Sequence, residues 1–127
     1  MENMSKTILV IDDEPGYRVL LSSDLGRYEY TVLTAASGPE ALKILKESKV
    51  DVIITDMKMS PMDGLDTIIA IKKIHPRLPI VIMTGYAVEE RVRQALEFKP
   101  STCLHKPFEI NEMRNTVREL VGADTTP

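Results

Sequence analysis

The sequence predicts one α/β domain of five strand–helix units wound about a parallel sheet. Three observations carry this. Short β-branched apolar runs alternate with amphipathic stretches through nearly the whole chain of 127 residues. Several of those runs are apolar at consecutive positions, the pattern of strands covered on both faces. The connections are only a few residues long, and alternating βα units of that kind call for a parallel sheet, helices on both faces and right-handed crossovers.

Taken in order, the first strand is read at 7–11 (TILVI), and a helix at 15–25 follows, opening on Pro15 and stopping at Gly26. The second strand, 30–34, leads to a helix at 38–46, where Ser37 and Glu40 have the spacing of a capping box. The third strand, 52–55, precedes a helix at 65–74 that presents Leu65, Ile68, Ile69 and Ile71 on one side before His75-Pro76 ends it. The fourth strand, 80–83, precedes a helix at 88–98 burying Val88, Val92, Ala95 and Leu96 before Pro100. A weaker fifth strand at 103–105 leads to a helix at 110–121 with Ile110, Met113, Val117, Leu120 and Val121 inward, ended by Gly122. These apolar stripes are core packing. Residues 1–6 and 123–127 read as loose ends around a domain at 7–122.

Composition narrows the function classes. Hydrophobic residues make up 43% and charged residues 28%, the balance of a globular protein able to bury a core. Sixteen Lys and Arg against nineteen Asp and Glu leave a net charge of −3, which gives no general attraction to nucleic acid or to an anionic membrane. A single cysteine, Cys103, excludes an internal disulfide and a multi-cysteine metal site. No apolar run is long enough to span a bilayer, and the start MENMSKT lacks a signal peptide's apolar stretch. A cytoplasmic domain is expected.

In such sheets the working groups gather at the carboxyl ends of the strands, where strand order reverses. Asp12, Asp13 and Glu14 follow the first strand, Asp56 the third, Thr84 and Gly85 the fourth, and Lys106-Pro107 the fifth. If the first and third strands are neighbours, carboxylates, a hydroxyl and an ammonium converge on one crevice. Carboxylates held that close repel, and a hard divalent cation with oxygen ligands, Mg²⁺ best, relieves the repulsion. Cation, Lys106 and Thr84 together suit the oxygens of a phosphoryl group in transfer, and one carboxylate, Asp56 by preference, would be the nucleophile. Each residue also has an ordinary structural role open to it. Asp13 could cap the first helix, Asp56 could be a turn residue, Thr84 could simply end its strand, and Lys106 could be a solvated charge. Their recurrence at successive strand ends favours the chemical reading.

The segments ILVIDDEP, DVIITDMKMSPMDG, IVIMTGYA and HKPF, in that order and near that spacing, resemble the receiver domain of response regulators in bacterial two-component signalling. The resemblance runs from Thr7 to about Val121. It implies a (βα)5 flavodoxin-like three-layer sandwich with strand order 2-1-3-4-5. It also implies Asp56 as phosphoryl acceptor, and Asp13, Asp56 and the Lys58 carbonyl as ligands of Mg²⁺ (or Mn²⁺), with Asp12 acting through water. Thr84 and Lys106 resemble the pair that grips the phosphoryl oxygens, Gly85 leaves the approach open, and Lys58 and Tyr86 flank the acyl phosphate and tune its lifetime. Lys106–Pro107 is expected to be cis. Implied partners are a sensor histidine kinase and a downstream output domain or effector engaged through the surface of the fourth helix, fifth strand and fifth helix. The resemblance admits a homodimer formed on phosphorylation and implies neither direct nucleic-acid binding nor a membrane.

Three departures stand out. The family's Met-Pro is here Met59-Ser60-Pro61, its Gly-Ala before the fifth strand is Lys99-Pro100, and its aromatic switch residue is Cys103. Cysteine has too little reach for that aromatic's inward turn. A haloacid-dehalogenase-type phosphatase would instead need Asp-x-Asp after the first strand, where this chain has Asp12-Asp13-Glu14. A flavodoxin-type flavin binder would need a hydroxyl- and glycine-rich loop there. A pseudo-receiver would be expected to lack one of the acidic pair, the acceptor or the lysine. The expected class is therefore a phosphorylation-operated switch, not an enzyme acting on external metabolites.

Overall fold

The computed structural model describes residues 6–59, 62–85, 89–99 and 101–122. Ten elements alternate along the chain: β1 (Thr7–Ile11), α1 (Pro15–Gly26), β2 (Thr31–Ala35), α2 (Gly38–Glu47), β3 (Val52–Asp56), α3 (Gly64–Ile74), β4 (Ile80–Thr84), α4 (Glu89–Leu96), β5 (Ser101–His105) and α5 (Ile110–Gly122). The strands form one parallel sheet of order β2-β1-β3-β4-β5, the flavodoxin-like arrangement.

Strand periodicity divides the core in two. On β1, Leu9 and Ile11 face one layer while Ile8 and Val10 face the other. The first layer is closed by α2, α3 and α4 through Leu45, Ile68, Ile71 and Ala95. The second is closed by α1 and α5 through Leu21, Leu25, Met113 and Val117. The three central strands β1, β3 and β4 are buried almost throughout, which is why their sequences run apolar without alternation.

Helix ends follow local chemistry with some differences from the sequence reading. Ser37 caps α2 by accepting the Glu40 N–H at 3.3 Å, but Glu40 Oε1 in return accepts the N–H of Ala36, one residue before the cap, at 2.7 Å. The N-cap of α1 is Glu14, so Asp13 is not used for capping. Gly26 does not end α1 in a left-handed turn; the helix runs into Arg27, and the residue with positive φ is Glu29, at 72°. The helix expected at 88–98 spans Glu89–Leu96, and Phe98 packs on the core from the tight turn after it. Of the expected inward residues, Val88 lies outside the described residues. β5 starts two residues earlier than expected, because Ser101 and Thr102 pair with Ile80 and Val81 despite their polarity. Lys6, placed in the loose N-terminus by its sequence, accepts a hydrogen bond from the Thr31 N–H at 2.9 Å.

Candidate functional site

The sheet order puts β1 between β2 and β3, so strand order reverses beside the carboxyl ends of β1 and β3. Asp12 leaves β1 there and Asp56 ends β3. Asp12 is wholly buried, Asp56 is 6% exposed, and Asp13 faces solvent. One carboxylate oxygen of each lies within 4.8 Å of the others. Three such oxygens, one presented to solvent, form a donor set that suits a hard divalent cation retaining part of its water.

Backbone bonds hold this constellation in place. The Asp12 N–H donates to Ala35 and the Met57 N–H to Met83, which extends the sheet ladder past the strand ends. Asp12 Oδ1 accepts the Glu14 N–H at 2.9 Å, while the Arg18 guanidinium reaches back from α1 to the Asp12 carbonyl at 2.7 Å. The Lys106 N–H donates to the Thr84 carbonyl at 2.7 Å, which ties the ends of β4 and β5 together. The Lys106–Pro107 peptide is cis.

Lys106 brings a positive charge against the acidic cluster. Its side chain is 11% exposed, and its Nζ lies 3.2 Å from Asp12 Oδ2, 3.3 Å from Glu14 Oε1 and 3.5 Å from Asp56 Oδ2. It also sits 3.9 Å from the centre of the Tyr17 ring. An open cleft of about 420 Å³ is bounded by Asp13, Glu14, Asp56, Lys58, Gly85 and Lys106. Thr84, almost fully buried at the end of β4, borders a neighbouring cavity of about 210 Å³ with Met57 and Met59; Lys58 and Gly85 border both. Arg91 of α4 pairs across that cavity with Asp63 at 2.7 Å and with Asp66 at 3.4 Å. Asp63 also caps α3 by accepting the Asp66 N–H. Burial alone would raise the Asp63 carboxyl, but the bonds from Arg91 and Asp66 outweigh it and hold the group below the usual range.

Tyr86 lies outside the described residues, as do Ser60, Pro61 and Pro100. Cys103 is half-buried in the middle of β5, opposite Ile82, and packs against the α2–α4 core; burial pushes its thiol up. Tyr17 and Arg18 do not stand out in the sequence. Their only signal there is an aromatic and a guanidinium within the first turn of the helix following the acidic run.

Electrostatically the site is loaded. Burial raises the Asp12 carboxyl above its ordinary 3.8 despite the Glu14 N–H and Lys106. Burial also raises Asp56, with the Asp12 charge adding to the effect. For Lys106, burial opposes the charge, but Asp56 and Asp12 more than compensate and its pKa is raised. A carboxyl raised on folding keeps its proton at a pH where the unfolded chain has already released it. Stability therefore falls as pH climbs from 3.8 through the raised folded values, and the penalty persists at neutral pH. Asp56→Asn, in EDTA at neutral pH, is expected to be more stable than wild type by about 1 kcal/mol, with the gap closing in acid. Thermal melts across pH check this, and a lower neutral-pH midpoint for the variant would contradict it.

Comparisons with known proteins agree with the geometry. A family model described as the response regulator receiver domain matches residues 8–118. The sporulation initiation phosphotransferase F of Bacillus subtilis (strain 168) is 33% identical over 116 residues, covering 91% of this chain and 94% of that protein. The transcriptional regulatory protein ZraR of Escherichia coli (strain K12) is 33% identical over 91% of this chain, which spans 26% of ZraR. The structure of response regulator TrrA from Thermotoga maritima, in complex with Mg²⁺ and BeF, superposes with a TM-score of 0.80 at 32% identity, covering 91% of this chain and 98% of that one. With its sheet order and its carboxylate–lysine cleft, the chain belongs to the response regulator receiver domain family.

Proposed function

We propose that this receiver works as a switch operated by phosphorylation of Asp56. The observation that carries the reading is the position of Asp56. Asp56 ends β3 and lines the cleft, its carboxylate 3.5 Å from the Lys106 ammonium and with an oxygen within 4.8 Å of carboxylate oxygens of Asp12 and Asp13. An Asp56 oxygen attacks phosphorus in line, a new P–O bond forms, and the donor's bond to phosphorus breaks with its electron pair leaving on the donor. A divalent cation, Mg²⁺ or Mn²⁺, held by Asp13, Asp56 and the Lys58 carbonyl with Asp12 acting through water, would neutralise charge on the phosphoryl oxygens. Lys106 supplies a fixed positive charge on the other side, and the Thr84 hydroxyl a hydrogen bond. Gly85 leaves the approach clear: among the described residues other than its chain neighbours, no atom lies within 4 Å of where its Cβ would be. Lys58 and Tyr86 tune water's access to the acyl phosphate, so the domain assists both its own phosphorylation and its own hydrolysis.

The donor we favour is a phosphohistidine of a sensor histidine kinase, and the output is an effector or attached domain reading the surface of α4, β5 and α5, within a functional unit spanning residues 7–122. Lys106 couples the two, because its backbone bonds Thr84 while its side chain bonds the acidic cluster. Cys103 occupies the place where the family's aromatic would report, so in this chain the shift in population passes through other groups on that surface. No described helix is long and apolar enough to cross a membrane.

Intact mass after incubation with acetyl phosphate and Mg²⁺ tests the reading. A single alkali-labile phosphoryl adduct is expected on wild type, and none on Asp56→Asn or in EDTA. An adduct retained by Asp56→Asn would move the acceptor elsewhere. No adduct from either acetyl phosphate or a phosphorylated kinase domain would favour a phosphorylation-independent binding module.

A further inference from the structure

We propose that Tyr17 is a positioning residue for phosphoryl transfer, its ring face holding the Lys106 ammonium inside the cleft and against Asp56. The inference deepens the proposed function and rests on Lys106 serving the phosphoryl group.

Lysine is a compact charge on a flexible four-carbon stem, and its ammonium is free to swing into water unless something stops it. Three sides of the Lys106 ammonium are met by Asp12, Glu14 and Asp56. Glu14 is exposed and pulls outward, whereas Asp12 and Asp56 are buried and pull inward. The Tyr17 ring, 3.9 Å from Nζ to centroid, adds an attractive surface that is not a carboxylate. The π-face carries negative electrostatic potential, so it attracts the ammonium without competing for the hydrogen bonds that a phosphoryl oxygen would accept.

The ring itself is held. Tyr17 lies in the first turn of α1, half-buried, and Phe108 leans on it at 6.0 Å between centroids and 45° between planes. Phe108 follows Lys106-Pro107 directly, so the segment leaving β5 grips the ring from two places: the ammonium of Lys106 and the ring of Phe108. Tyr17 thereby ties the start of α1, directly after the acidic run of Asp12, Asp13 and Glu14, to the end of β5, which Lys106 follows. The rotamer freedom of Lys106 is restricted before the donor arrives and not during transfer.

A residue that merely fills space would be replaced without loss by leucine. A residue acting through its π-face would be replaced by phenylalanine and not by leucine. The experiment therefore compares wild type, Tyr17→Phe and Tyr17→Leu by two readouts. The first is NMR of the Lys106 side chain in the 127-residue chain without any phosphodonor. Upfield-shifted methylene protons next to Nζ are expected in wild type and Tyr17→Phe and should be absent in Tyr17→Leu. Absence of that shift in wild type overturns the contact and the proposal with it. The second is the rate of adduct formation from acetyl phosphate, with melting midpoints confirming that all three proteins are folded. Tyr17→Leu is expected to lower the saturated rate about fivefold, while the Mg²⁺ dissociation constant by calorimetry stays unchanged and Tyr17→Phe keeps the wild-type rate. Equal rates for Tyr17→Leu and wild type overturn the proposal, as does loss of rate in Tyr17→Phe, which would assign the effect to the hydroxyl. Failure of the proposed function itself would register separately, as wild type taking no phosphoryl group.

Discussion

Gly64→Ala is expected to destabilise the protein by about 3 kcal/mol and to displace the end of β3 that carries Asp56. Gly64 opens α3, and its N–H donates to the Met57 carbonyl at 2.8 Å, which closes the loop from β3 into the helix. A Cβ at this position would stand 2.5 Å from the Asp56 carbonyl oxygen, 2.6 Å from Met57 Cα and 2.9 Å from Met57 Sδ. The first two are backbone atoms fixed in a buried strand and the turn after it, so no side-chain rotation relieves the clash. The Gly64 φ is not positive, so the demand is for space and not for a left-handed conformation. Gly26 provides the control. It lies at the end of α1, and among the described residues outside its own helix backbone and chain neighbours nothing lies within 4 Å of where a Cβ would stand, so alanine there should be neutral or gain up to about 0.5 kcal/mol from helix propensity. Urea unfolding of both variants decides the matter. A Gly64→Ala loss below about 0.5 kcal/mol would mean that the β3–α3 connection yields, contrary to packed-core behaviour.

What could be read from the sequence depended on whether a feature was local. The strands β1, β3 and β4 were legible because burial on both faces leaves them apolar at consecutive positions, with polar residues only toward their ends. The edge strand β5 was only half legible, since Ser101 and Thr102 are half-buried and declare their pairing only through β4. The end of α4 was overrun because Phe98 serves the core from a turn, which hydrophobic periodicity cannot distinguish from one more helical position. The acidic cluster and Lys106 were legible for a topological reason: alternating βα units bring the carboxyl ends of all strands to one side. The surroundings of Lys106 were not. That Glu14 and Tyr17 share its ammonium, and that Arg91 pairs with the cap of α3, depend on approaches between elements far apart in sequence.

Lys72 belongs to the same illegible class, and its replacement by methionine is expected to cost about 2–3 kcal/mol. In the sequence it is a polar residue in the last turn of α3, where a cation favourably meets the helix dipole. In the structure it is 7% exposed and points away from solvent. Its ammonium donates to the carbonyls of Leu78 at 2.8 Å, Lys99 at 3.1 Å and Pro76 at 3.3 Å. Three donors thus meet three acceptors, and burial holds the group below its usual value. Two of the carbonyls belong to the connection into β4 and the third to the connection from α4 to β5, so one side chain fastens the far ends of both units. Methionine keeps the length and apolar packing of the stem but strips all three charge-assisted bonds, leaving carbonyls that only partly recover water. Lys73→Met, one position along and exposed, changes the same formal charge without touching those carbonyls and should stay within about 0.5 kcal/mol of wild type. Chemical unfolding of the pair separates the effect of the bonds from the effect of charge, and hydrogen exchange should quicken in Lys72→Met at the β5 amides that follow Lys99. Equal stability of the two variants would show that the three carbonyls are satisfied by water as readily as by the ammonium, and that the α4–β5 joint is held by apolar packing alone.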